Sequence, residues 1–237
     1  MVLNKKQWTK KDIDNFQTYL KSFGRGLEKS AWEQRIVNTS LPCIAVPSPI
    51  LKRMIKEISK GNFISFLDLW MWDNLANVYI NGGLITKISD FDTMVRYLKI
   101  YLSKVDNWAN VDSLKFAITE DNKEAFFLLA KQFLKDEKPF VRRAGFRILF
   151  SFIADNRYID EIFSLMNMFY EEKEYYVNMV IAWLFSECFI KQREKTINYL
   201  KTHRLNKFTI NKGISKCRDS FRVSKEDKER LLRYRMS

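Results

Sequence analysis

Apolar positions recur at helical spacing along almost the whole chain. Over 10–22, Ile13, Phe16, Tyr19 and Leu20 fall on one helical face, and Thr9 stands where a capping side chain belongs. Further helices are expected near 29–38, 49–59, 64–80 and 90–104. The stretch 40–49 (SLPCIAVPSP) is a connector, because its three prolines break any helix. Phe91, Met94, Val95, Leu98, Tyr101 and Leu102 make the clearest i, i+3, i+4, i+7 stripe.

From residue 90 onward the pattern repeats. Helical segments begin near 90, 122, 157 and 193, a step of about 35 residues. Second helices follow at about 109–118, 138–153, 174–190 and 207–218. No residue string recurs, only the period and the apolar pattern. Helix pairs at this period predict an all-α protein, an alpha-alpha superhelix (a HEAT/ARM-like solenoid) of antiparallel helix pairs. The expected organisation is one domain over 1–237, with N-terminal helices in 1–40, repeats in 41–218 and a basic segment in 219–237.

Composition narrows the function. Seven Gly and four Pro among 237 residues are too few turn formers for a β-sandwich. No apolar run approaches a membrane span, and the start, MVLNKKQW, has no apolar core of a secretory leader. A protein of the cytoplasm, acting on the nucleoid and away from membranes, is expected. One histidine, His203, excludes chemistry that needs two. Cys43, Cys188 and Cys217 form no CxxC, so no metal or other cofactor is expected. The formal net charge is +13 and it is concentrated: residues 191–237 hold 15 Lys+Arg against 5 Asp+Glu. Such a footprint suits a polyanion.

The informative polar and aromatic residues fall on or just before the second helices. In NWANVD, Trp108 and Asp112 are four apart and share a helix face. In KPFVRRAGFR, Pro139 suits a first turn, Val141, Ala144, Ile148 and Phe152 form an inward stripe, and Arg143 and Arg147 point elsewhere. In EYYVNMVIAWLFSE, Val177, Ile181, Leu184 and Cys188 face the core, while Tyr176, Val180, Trp183 and Glu187 take another face. If neighbouring second helices pack side by side, a carboxylate, two indoles and a guanidinium meet on one surface. A carboxylate can stabilise an oxocarbenium-like sugar. Indoles attract cations and stack on nucleotides, and guanidinium binds phosphate. Each residue also has a plainer use: core packing for the tryptophans, capping for Asp112, a solvated face for Arg143, a helix end for His203.

At these residues the chain resembles the AlkD-type DNA alkylation repair family, the HEAT-like repeat DNA glycosylases. NWANVD is similar to the family's Trp-x-x-x-Asp element, FVRRA to its Arg-Ala element, and YYVNMVIAWL to its aromatic helix with a central Trp. CIAVPSPILKRMI is similar to its apolar-x-x-Pro segment. The chain departs from the family at Ala182 and Ser186, where the family often has Gly and Arg.

The resemblance implies a monomeric, monofunctional, metal-free glycosylase that excises cationic alkylated purines, 3-alkyladenine or 7-alkylguanine, from duplex DNA. Asp112 would stabilise the sugar and position water. Trp108 and Trp183 would pack against the sugar and phosphate, and Arg143 would hold the backbone. Arg142, Arg147, Lys212 and Lys216 complete the expected nucleic-acid contacts. Lys115 is the nearest amine to Asp112 in sequence, but nothing singles it out for lyase chemistry. Two alternatives keep the fold: a non-catalytic DNA-binding paralogue and a protein-interaction scaffold.

Overall fold

The first apolar stripe folds as its spacing demands. In the computed structural model, which describes residues 1–237, a 3₁₀ turn over Lys10–Asp12 leads into α1, Ile13–Lys21. Thr9 opens it, its backbone N–H donating to the Asp12 carboxylate at 2.8 Å. Phe16 and Leu20 are fully buried, and Phe16, Trp8 and Phe66 form an edge-to-face cluster with centroids 5.0–5.7 Å apart. There are no strands, and the chain divides into two compact units, 1–117 and 118–237.

The first unit continues with α2 (Gly26–Val37), α3 (Ser48–Ile58), α4 (Phe63–Leu67), α5 (Leu75–Ile85), α6 (Phe91–Lys104) and α7 (Trp108–Asp112). Helix α5 is its centre, in contact with α3, α4, α6 and α7. It is buried along nearly its whole length, from Leu75 to Ile85. The expectation of one helix over 64–80 is corrected. The helix stops at Leu67, and α5 starts only after the Asn74 side chain caps it by accepting from the Asn77 N–H at 3.0 Å. Between them Trp70 adopts φ 47°, a left-handed conformation costly for a bulky residue. The aromatic run LWMWD offsets that cost by lateral packing. Trp70 stacks on Trp72 (5.9 Å) and on Tyr97 (5.4 Å), while Met71 turns inward and is buried. Helix α7 is likewise shorter than the expected 109–118.

The second unit holds α8 (Lys123–Phe133), α9 (Pro139–Leu149), α10 (Ile159–Asn167), α11 (Tyr175–Lys191), α12 (Arg193–Leu200), α13 (Lys207–Asp219) and α14 (Lys225–Leu232). The starts of α8, α10 and α12 lie within two residues of the expected 122, 157 and 193. Helix α11 packs between α9 and α13, and touches α12. It is therefore apolar on more than one face: Val177, Val180, Ile181, Leu184, Phe185 and Cys188 are all fully buried. Val180, expected on the face away from the core, is sealed by this second layer.

Side-chain bonds in this unit step from one pair of helices to the next. Tyr199 donates to Asn167 at 2.8 Å, 32 residues away, and Arg142 pairs with Glu172 at 2.9 Å, 30 residues away. Lys195 bonds Asp160 at 2.7 Å and Arg222 bonds Glu187 at 2.5 Å, each 35 residues apart. These separations of 30 to 35 residues are close to the period of the apolar pattern, which gives this unit its solenoid-like layering. Residues 219–237, expected only as a basic segment, contain α14. Its cap is Ser224, and Asp227 is bonded by Arg193 at 2.7 Å.

Candidate nucleic-acid interface

In the first unit, α7 carries Trp108 and Asp112 one turn apart, both half-buried. The helix has only five residues, too few to persist alone, so its placement comes from its surroundings. Asn107 caps it, accepting from the Asn110 N–H at 2.9 Å. Trp108 Nε1 donates to the Ile36 carbonyl at the end of α2, at 3.4 Å. Tyr101 of α6 donates its hydroxyl to the Asn110 carbonyl at 3.2 Å.

Asp106, just before this helix, is the strongest brace. Its Oδ1 accepts from Thr39 Oγ1 (2.6 Å) and Asn107 Nδ2 (3.0 Å). Its Oδ2 accepts from the Ser40 N–H (2.7 Å) and Ser40 Oγ (2.6 Å). Burial pushes the carboxyl up, but the bonds from Ser40, Thr39 and Asn107 outweigh it and leave it below the ordinary carboxylate range. The four donors need two acceptor oxygens, which an amide lacks. Asp106→Asn is therefore expected to cost about 1–3 kcal/mol at pH 7. A carboxyl lowered in the folded state gives its full stability above the unfolded value. It loses that stability as pH falls through the lowered folded value. Urea unfolding at pH 7 and at pH 3.5 checks this: the gap between wild type and variant should narrow at the lower pH. An equal gap at both would exclude the ionised clasp.

In the second unit, Arg143 does not lie on a solvated face. It is 5% exposed, and Nη1 donates to the Tyr176 carbonyl at the start of α11, at 2.5 Å. Arg142 is also engaged, pairing with Glu172 and donating to the Asp136 and Glu137 carbonyls. Arg147 is the arginine that meets an expected tryptophan. Its guanidinium lies 4.5 Å from the Trp183 ring and 4.4 Å from Phe150, and those rings pack edge to face at 4.6 Å. Trp183 and Arg147 are both half-buried, which leaves each a surface. On α13, Lys212 is exposed, its ammonium 5.9 Å from Phe208, and Lys216 is half-buried.

The remaining candidates are structural. His203 Nδ1 accepts from the Leu205 N–H at 3.2 Å, and burial lowers its pKa. Burial raises the thiols of Cys188 and Cys217. No group of three His, Cys, Asp or Glu is placed to hold a metal ion, and no helix is long and apolar enough to cross a membrane. Sequence reasoning missed Asp106, whose partners are 66 and 67 residues away. Asn107 was findable as an Asn directly before a helix.

The fold and these side chains define an all-α protein, layered in a solenoid-like way, that carries cations beside aromatic rings. The family model of DNA alkylation repair enzymes matches residues 7–217, and the chain belongs to that family. Its role is in DNA repair and DNA is its partner. No curated protein matches the chain.

Proposed function

We propose that the protein is a DNA glycosylase that removes cationic alkylated purines from duplex DNA, with Asp112 as its catalytic carboxylate. The observation that carries this reading is the Trp108–Asp112 pair. An indole and a carboxylate, both half-buried, are held on a five-residue helix braced by Asp106, Asn107 and Tyr101. Such bracing suits a group that must act without reorganising.

In the reaction the C1′–N bond breaks, and its electron pair goes to the base. The base leaves neutral because it began with a positive charge, so no strong general acid is needed. Asp112 offsets the charge that develops on the sugar and accepts a proton from the water that adds at C1′. Trp108, in the first unit, packs against the sugar of the lesion, and Trp183, in the second, packs against the phosphate backbone. Arg147, with its face on Trp183, and Lys212 and Lys216 take phosphates. Arg143 acts from beneath. It fixes the Tyr176 carbonyl and so sets α11, which presents Trp183 two turns on. Arg142 holds the same loop through Glu172.

Incubation with methylated duplex, followed by chromatography of free bases, tests this. Release of 7-methylguanine or 3-methyladenine is expected. Salt-dependent duplex binding without release would mark a non-catalytic DNA-binding protein. Binding indifferent to salt would mark a protein scaffold.

A further inference from the structure

Helix α13 and the C-terminal tail line a cleft of which the glycosylase reading uses only Lys212. Asn211 and Met236 grip each other reciprocally: Asn211 Nδ2 donates to the Met236 carbonyl at 2.9 Å, and the Met236 N–H donates to Asn211 Oδ1 at 3.0 Å. This clasp pins the tail beside α13 and brings Arg235 to face Lys207 and Lys212. The resulting cleft, about 470 Å³, is lined by Lys207, Phe208, Asn211, Lys212, Ser215 and Arg235. Its lining has three cations and no carboxylate. No ion pair neutralises any of the three.

Beside those cations is an aromatic face. Phe208 is 39% exposed and Tyr175 is 54% exposed, with ring centroids 5.8 Å apart. Lys207 and Phe208 also line a second hollow of about 370 Å³ that runs to Tyr170 and Tyr175. Arg204 lies over Tyr170 at 4.7 Å. Two carboxylates also line that hollow: Glu172, already paired with Arg142, and Glu171, which is exposed. Cations and rings line both adjoining hollows, and the carboxylates are confined to the second.

We propose that this cleft binds an unpaired stretch of a nucleic-acid strand, with a phosphate on Lys207, Lys212 and Arg235 and a base against Phe208. A duplex keeps its bases stacked inside and offers no base face to a ring; an unpaired strand does. Two hollows that share Lys207 and Phe208 suit successive nucleotides better than one free nucleotide. The inference does not rest on the glycosylase reading, because neither Asp112 nor a lesion takes part.

The full chain, titrated into a labelled, undamaged twelve-residue oligothymidylate, tests it by fluorescence anisotropy. Binding should exceed that to an abasic oligomer of equal length. Phe208→Ala should weaken it by about 5- to 150-fold, the range of one base–aromatic stack, and Phe208→Trp should restore it. Lys212→Ala and Arg235→Ala should each reduce the slope of log K against log salt by about 0.7. Phe208 is partly exposed, so the variant should fold, which circular dichroism checks. If it does not, Phe208→Leu keeps the bulk without the aromatic face and should also bind weakly. Equal affinity for the abasic oligomer, or for wild type and a folded Phe208 variant, would overturn the proposal. Thymidine monophosphate competing as well as the oligomer would move the site to free nucleotides and reject the strand.

Discussion

Asp112→Asn is expected to cut base release from methylated duplex by about 100- to 1,000-fold while leaving duplex affinity within about twofold. The figure is the usual cost of removing one preorganised electrostatic group from a transition state, about 2.7–4 kcal/mol. The substitution is nearly isosteric; it removes the charge and turns one acceptor oxygen into a donor. Ground-state binding rests on phosphates and cations and should hardly notice it. The transition state develops positive charge on the sugar, and only the carboxylate offsets that. The loss should therefore appear in the single-turnover rate and not in Kd. A variant that releases base at the wild-type rate would remove Asp112 from the mechanism. One that loses binding and rate together would make it a structural residue of α7.

The second large effect concerns the packing that carries Trp183 and the α13 cations. Phe185 is fully buried on α11, and Gly213 of α13 lets the two helices approach there. A Cβ on Gly213 would stand 2.6 Å from Phe185 Cδ1 and 3.3 Å from the Ala182 carbonyl oxygen. Phe185→Ala should cost about 3–5 kcal/mol through lost burial and the cavity left behind. Gly213→Ala should cost about 1–3 kcal/mol by overpacking, despite the better helix propensity of alanine. Together they should not add. With the ring gone, the new methyl enters vacated space, and the gain of up to about 1 kcal/mol from replacing a helical glycine can emerge. Urea denaturation of the two single variants and the double variant measures this coupling. Additive costs would mean that the Ala182 carbonyl, not the Phe185 ring, limits the approach.

The all-α class was legible because a 3.6-residue period survives in almost every segment. The 35-residue step was legible for the same reason, and α8, α10 and α12 begin where it placed them. Individual faces were less so. A stripe shows which residues are apolar, but not how many neighbours cover a helix, so Val180 read as outward and is sealed. The run LWMWD read as helix because local spacing cannot register the stacking of Trp70 on Tyr97, 27 positions later, that holds φ 47° in place.

The site divides the same way. Trp108 and Asp112 were visible as a pair because four residues on a helix make one face. The arginines were not separable, since Arg143 and Arg147 share a face in sequence. Tertiary packing gave Arg143 to the Tyr176 carbonyl and Arg147 to the Trp183 ring. The sequence by itself determined which segments are helices, their period and where positive charge gathers, because these depend on neighbours a few positions away. Tertiary structure alone decided which cation stays accessible, how α7 is clasped by Asp106 and how the tail closes the α13 cleft. Those depend on hydrogen bonds between residues 25 to 67 positions apart, which no local pattern encodes.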